Sequence, residues 1–164
     1  MLQPAFIDGL KFAREGALVR GRLGLENLGR LVQQGCQTEG LDYSLSGGLG
    51  EDRKPFLAVK VTGEIALVCQ RCLGKVLYPL NIESRVELTK DWNEVVNPED
   101  DVERVLAEPE MDIAALVEDE VILALPMVPR HDHCGEAKIA VAAARPSPFD
   151  LLAVLKDGHQ GKLN

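Results

Sequence analysis

Aromatic residues are scarce. Trp92, Tyr43, Tyr78 and four Phe are all that 164 residues contain, so any core is largely aliphatic. Positive charge is short as well. Lys and Arg number 18 against 26 Asp and Glu, leaving −8 at neutral pH and a pI near 4.9. That balance excludes a protein that grips nucleic acid by bulk positive charge. There is no long apolar run. The longest, Val121 to Val128, already contains Pro126 and falls far below the ~20 residues of a membrane helix. Met1 to Leu10 lacks the basic start and apolar stretch of a signal peptide, so neither export nor a membrane is expected. The sequence also has no phosphate-cradling Gly loop, no G-x-S-x-G elbow and no H-E-x-x-H. No catalytic set stands out, and a non-enzymatic protein is expected. Four Cys in an unexported chain indicate thiols or a metal site rather than a disulfide framework.

What is present fits one soluble domain. Hydrophobic residues make up 46% and charged residues 27%, which excludes fibrous and wholly disordered chains. A chain of this length buries roughly two-thirds of its unfolded surface without staples. The charge, however, is uneven. Residues 91–120 carry twelve acids against Arg104 alone, a balance of −11, so the remainder sums to +3. An acidic insert sits in a mildly basic body.

The middle of the chain reads as β. Leu57, Val59, Val61, Ile65 and Leu67 fall on alternate positions, and the alternation resumes at Val76, Tyr78, Leu80, Ile82, Val86 and Leu88, with Ser84 breaking the stripe. Period two means strands with one buried face. The link between them, Cys69 to Lys75, is too short for a parallel crossover, so they form an antiparallel hairpin. Asp42 to Leu49 and Ala17 to Leu23 read as further strands. Pro4 to Arg14 and Leu25 to Gln34 read as short helices, the second stopped by Gly35. Residues 91–110, with Pro98, Pro109 and many acids, read as a flexible acidic loop. Asp112 can cap a helix carrying Ile113, Leu116, Val117 and Val121, ended by Pro126. Ser147-Pro148-Phe149-Asp150 has the form of another helix start, and the tail from His159 is expected to be loose. The fold expected is α+β: a single domain over 1–164, with an antiparallel sheet, a long central hairpin carrying a Cys-x-x-Cys knuckle, and helices alongside.

Cys69 and Cys72 form the sharpest local feature. Two intervening residues let both sulfurs enter one turn, and Gly74 frees the backbone to curl around them. That is half of a structural zinc site, which takes four ligands. Cys134 with His131 would complete a Cys3His set, with His133 the alternative histidine. Reduced thiols lining a turn remain the other reading. Reversible disulfide chemistry fits poorly, because strands rather than a helix start flank the motif. Cys36 reads as an incidental thiol. Glu118, Asp119 and Glu120 are consecutive on a helix and diverge around its axis, so they read as solvated surface, with Glu120 the one acid that can turn inward. Arg71, Lys75 and Arg85, with Arg20, Arg22 and Arg30, are candidate phosphate contacts, or ordinary soluble surface.

Three stretches in order resemble the YceD family, the large ribosomal RNA subunit accumulation proteins. They are Leu67-Val68-Cys69-Gln70-Arg71-Cys72; Val117 to Pro126 continuing through Pro129, His131 and Cys134; and Pro146-Ser147-Pro148-Phe149 followed by Leu151-Leu152 and Leu155-Lys156. The resemblance implies a cytoplasmic bacterial protein needed for synthesis, processing or stability of 23S ribosomal RNA. It also implies a gene associated with that of a large-subunit ribosomal protein, and it brings no enzyme activity and no catalytic residues. Cys69, Cys72, Glu118, Asp119, Glu120, His131 and Cys134 are the positions it marks. The expected partners are 23S rRNA or a pre-ribosomal particle. The acidic segment suits a second role, as an interaction module or chaperone for a basic large-subunit ribosomal protein. An RNA-processing enzyme would have only Glu118 to Glu120 and the His131–Cys134 cluster to work with.

Overall fold

The alternating stripes of the middle of the chain set the architecture. The computed structural model describes residues 5–97 and 101–134. Its elements run β1 (Phe6–Ile7), α1 (Gly9–Arg14), β2 (Leu18–Leu23), a 3-10 turn (Leu25–Asn27), α2 (Gly29–Gln33), β3 (Leu41–Leu49), a second 3-10 turn (Glu51–Arg53), β4 (Pro55–Val68), β5 (Lys75–Thr89), α3 (Trp92–Val96), β6 (Arg104–Leu106), β7 (Met111–Asp112) and α4 (Ile113–Ala124). Five strands form one sheet in the order β2-β3-β4-β5-β6, and β1 pairs with β7 separately. The class is α+β.

β4 and β5 pair antiparallel from Phe56↔Glu87 to Val68↔Lys75. This register places Leu57, Val59, Val61 and Ile65 on the same face as Leu80 and Val86, and all six are buried. Tyr43 and Leu45 of β3 join that face opposite Val61 and Val59. Ala13 of α1, Leu31 of α2, and Ile113, Val117 and Val121 of α4 complete the same core. The other face stays open and carries Arg20, Ser44, Lys60 and Glu83 in a row across four strands. At Gly47 a Cβ would stand 2.5 Å from the Phe12 carbonyl oxygen, so glycine lets α1 lie directly on β3.

Several elements differ from the sequence expectation. β6 joins β5 in parallel, Glu87↔Arg104 to Thr89↔Leu106, so the sheet is mixed. The expected acidic loop, 91–110, carries two short elements. Asp91 caps α3 by accepting from the Asn93 N–H at 2.9 Å, and the half-buried Val105 and Leu106 pack as β6. Their apolar character outweighs the surrounding charge locally. The first helix starts later, because Phe6 and Ile7 pair with Asp112 and Met111 and Asp8 caps α1. The second is divided at Leu28, whose ψ of 60° is not helical. α4 matches the pattern, with Asp112 accepting from the N–H groups of Ala114 and Ala115. The helix beginning at Ser147 and the tail from His159 lie outside the described residues. Among the described residues no helix is long and apolar enough to cross a membrane.

Candidate metal centre

The end of the hairpin is held by a tight backbone turn. The Cys69 N–H donates to the Gly74 carbonyl at 2.8 Å, and the Leu73 N–H donates to the Cys69 carbonyl at 2.9 Å. Leu73 takes the left-handed conformation, φ 58°, so that Cys72 curls back towards Cys69. The chain after α4 returns to this turn, with the Gln70 N–H donating to the Pro129 carbonyl at 2.8 Å. That contact delivers His131. Its Nδ1 lies 3.4 Å from Cys72 Sγ, and its Nε2 lies 2.9 Å from the Lys75 carbonyl oxygen.

A carbonyl oxygen only accepts, so Nε2 carries the proton and Nδ1 presents its lone pair to the sulfur side. One ligand atom each from Cys69, Cys72, His131 and Cys134 lie within 4.8 Å of one another. A tetrahedral zinc with bonds of ~2.3 Å to sulfur and ~2.0 Å to nitrogen separates such a pair of ligands by about 3.5 Å. The Cys72–His131 spacing is 3.4 Å. Ligand chemistry, the His131 tautomer and the Cys72–His131 spacing therefore fit a zinc ion. His133 is exposed and is not in the group. Cys36 lies apart as a buried thiol, pushed up in pKa by its desolvation.

The acids of α4 have separate fates. Asp119 is exposed and Glu120 turns inward at 8% exposure, but Glu118 is only 5% exposed, which corrects its reading as solvated surface. Glu118 Oε1 accepts from the Arg30 and Leu31 N–H groups at 2.7 and 2.9 Å, and its Oε2 accepts from Arg30 Nε at 2.8 Å. Arg30 also reaches Asp119 at 2.5 Å and the Ala115 carbonyl at 3.2 Å. Burial works to raise the Glu118 carboxyl, but the Arg30 side chain and the two N–H groups outweigh it and hold it below the usual range. Glu120 is held above that range, first by burial and then by the charges of Glu103 and Asp119, with the Ser84 hydroxyl pulling the other way. The serine that interrupts the apolar stripe of β5 thus faces a buried carboxyl.

The basic candidates do not form one patch. Arg71 and Lys75 are exposed at the knuckle. Arg85 is ten residues along β5 from Lys75, about 33 Å at strand rise, and lies over the Phe56 ring at 3.8 Å. Arg30 is committed to Glu118. Sequence reasoning missed Trp92, which is 60% exposed beside the half-buried Leu106 and Leu116. The signal that could have found it is the pairing of the sole Trp with an Asp cap inside the acid-rich stretch.

Fold and site together define a class: a small α+β protein in which Cys69 and Cys72, between the paired strands β4 and β5, lie close to His131 and Cys134 in the segment after α4. The sequence model of the family "Large ribosomal RNA subunit accumulation protein YceD" matches residues 57–156, and the chain belongs to that family. It is similar to the Haemophilus influenzae protein described as large ribosomal RNA subunit accumulation protein YceD. The two are 29% identical over 171 aligned residues, covering 93% of this chain and 95% of the relative. No solved structure matches the chain.

Proposed function

We propose that this protein supports the accumulation of 23S ribosomal RNA in the bacterial cytoplasm as a non-enzymatic assembly factor. In this reading the knuckle is its contact with the RNA or the pre-ribosomal particle. The family match carries the reading. The site supports it: Arg71 and Lys75 stand exposed on a turn fixed at both ends, where long cations meet phosphate with little ordering of the backbone. The absence of catalysis is supported by the fates of the α4 acids. Glu118 is consumed by Arg30 and its helix, and Glu120 is buried against β5.

Zinc bound by Cys69, Cys72, His131 and Cys134 has a structural role here. A closed four-ligand set leaves no open position for substrate and ties segments about sixty residues apart in sequence. Elemental analysis of protein purified without added metal should find equimolar zinc, and a content near zero would sink this part. For the function, the chromosomal copy is replaced by an Arg71→Glu, Lys75→Glu double variant, and 23S and 16S rRNA are quantified. A falling 23S:16S ratio with normal protein level supports the reading. A ratio unchanged even when the whole gene is deleted refutes it, and a ratio lowered by deletion but not by the variant moves the contact away from the knuckle.

A further inference from the structure

The structure assigns a second surface to this protein: a groove around Trp92 that docks a basic, amphipathic segment of another protein. The groove encloses about 300 Å³ between α3, β6, β7 and the first turns of α4. Its apolar lining comes from Trp92, Val95, Val105, Leu106 and Leu116. Trp92 is the only Trp in the chain, and it is 60% exposed rather than placed in the core. A large amphipathic ring presented beside an apolar groove is the usual anchor of a protein contact.

Charge decides the occupant. Glu108, Asp112 and Asp119 line the groove, within the segment where twelve acids face Arg104 alone. Arg104 also lines the groove, but its side chain is only 8% exposed and its Nε lies 3.6 Å from Glu87. Asp119 is paired with Arg30 and Asp112 caps α4, so the exposed Glu108 carries the least compensated charge, and with Arg104 matched by Glu87 the net charge around the apolar floor is negative. It repels RNA phosphates and anionic membranes, and it favours Lys and Arg flanking an apolar side chain. This docking reading stands on the groove and its charge, and does not require the knuckle to contact RNA.

Trp92 supplies its own assay. Full-length protein is titrated at low salt with a synthetic amphipathic peptide of Lys and Leu, and the intrinsic Trp emission is monitored. Parallel titrations use poly-lysine, the same peptide with Glu for Lys, and a single-stranded RNA oligonucleotide. The Lys/Leu peptide should shift the emission saturably, with affinity falling as salt rises. Poly-lysine should bind at least about tenfold more weakly, and the acidic peptide and the RNA should leave the emission unchanged. Glu108→Lys, an exposed position, should weaken peptide binding about threefold to tenfold with the circular dichroism spectrum intact. Trp92→Ala, measured by calorimetry, should weaken it more than about tenfold. Four results would overturn the proposal: no saturable binding by the peptide, equal binding of poly-lysine, an RNA-induced shift, or peptide affinity indifferent to Glu108→Lys. An emission that changes with the protein's own concentration alone would make a second copy the occupant, and would overturn it too. The peptide titration reads the groove and the Arg71→Glu, Lys75→Glu variant reads the knuckle, so the two readings fail separately.

Discussion

Glu118 should be worth more to stability than its exposed neighbour Asp119, although both bind the same arginine. In Glu118→Ala, the Leu31 N–H loses its charged acceptor at 2.9 Å. Leu31 is fully buried, so water does not replace that acceptor, and an orphaned buried donor costs about 1–3 kcal/mol. Arg30 is half exposed, 46% in its side chain. It keeps Asp119 and the Ala115 carbonyl, so the lost ion pair adds only about 0.5–1 kcal/mol. The sum is about 1.5–4 kcal/mol, a large share of the ~5–15 kcal/mol that holds a domain together. Glu118→Gln keeps one oxygen for the two N–H groups but turns an amide N–H towards Arg30 Nε, and should cost about half as much. Asp119→Asn removes an exposed pair and should cost less than about 1 kcal/mol.

Urea unfolding monitored by circular dichroism reads these differences. With a slope of ~2 kcal/mol/M, Glu118→Ala should lower the midpoint by about 0.8–2 M. The folded carboxyl of Glu118 is held below its unfolded value. Its contribution is therefore present above the ordinary carboxylate pKa of about 4.3 and lost as pH falls through the lowered folded pKa. The gap between wild type and Glu118→Gln should close in acid. If Glu118→Ala unfolds within about 0.3 M of wild type at neutral pH, or the gap does not narrow in acid, the clamp between α2 and α4 contributes nothing of the kind described.

Glu120→Gln should act in the opposite sense. Its carboxyl is held above the usual range, so the charged form opposes folding once pH exceeds the unfolded pKa; the variant should unfold at higher urea than wild type at pH 7, and a lower midpoint would refute this. His131→Ala and Cys72→Ser should each lower bound zinc measured by elemental analysis, whereas His133→Ala should not; zinc lost with His133 would reverse the ligand choice. Leu73→Gly removes a left-handed leucine, φ 58°, and should raise stability by up to about 1 kcal/mol in thermal unfolding. Gly47→Ala sets a methyl against the Phe12 backbone and should cost about 2 kcal/mol or more by the same measurement.

The parts of the fold visible in the sequence are those fixed by short-range rules. The stripe from Leu57 to Leu67 and its continuation at Val76 specify which face of β4 and β5 is buried, because slipping by one residue would expose the whole set. Asp112 announces α4 because its carboxylate satisfies two orphan N–H groups of the first turn. What was hidden depends on partners distant in sequence. The burial of Glu118 cannot be read from its neighbours, since Arg30, 88 residues earlier, supplies the compensation. Val105 and Leu106 look like a stray apolar patch in an acidic loop until Thr89 offers its carbonyl to Ala107. The Cys/His group lies between these cases. Its ligand types and the half-site spacing are local, but choosing His131 over His133 requires the carbonyl of Lys75, 56 residues away, to hold its Nε2 proton.

That dependence on distant partners bears on how the protein presents its two charged surfaces. The knuckle and the Trp92 groove use opposite charges, and each is positioned by backbone contacts of its own. Gln70 to Pro129 fixes the first, and Ala107 to Thr89 fixes the strand beneath the second. α4 connects them: Leu116 and Asp119 line the groove near its start, and the chain leaving its end delivers Pro129 and His131 to the knuckle. Anchoring this helix through Glu118 to α2 therefore sets the placement of both surfaces without chemistry at either. Its loosening in Glu118→Ala should lower zinc retention under mild chelation as well as peptide affinity at Trp92, even in urea-free buffer where the sheet stays folded. Retention of both at wild-type levels in that variant would show that the two surfaces are held independently, each by its own loop.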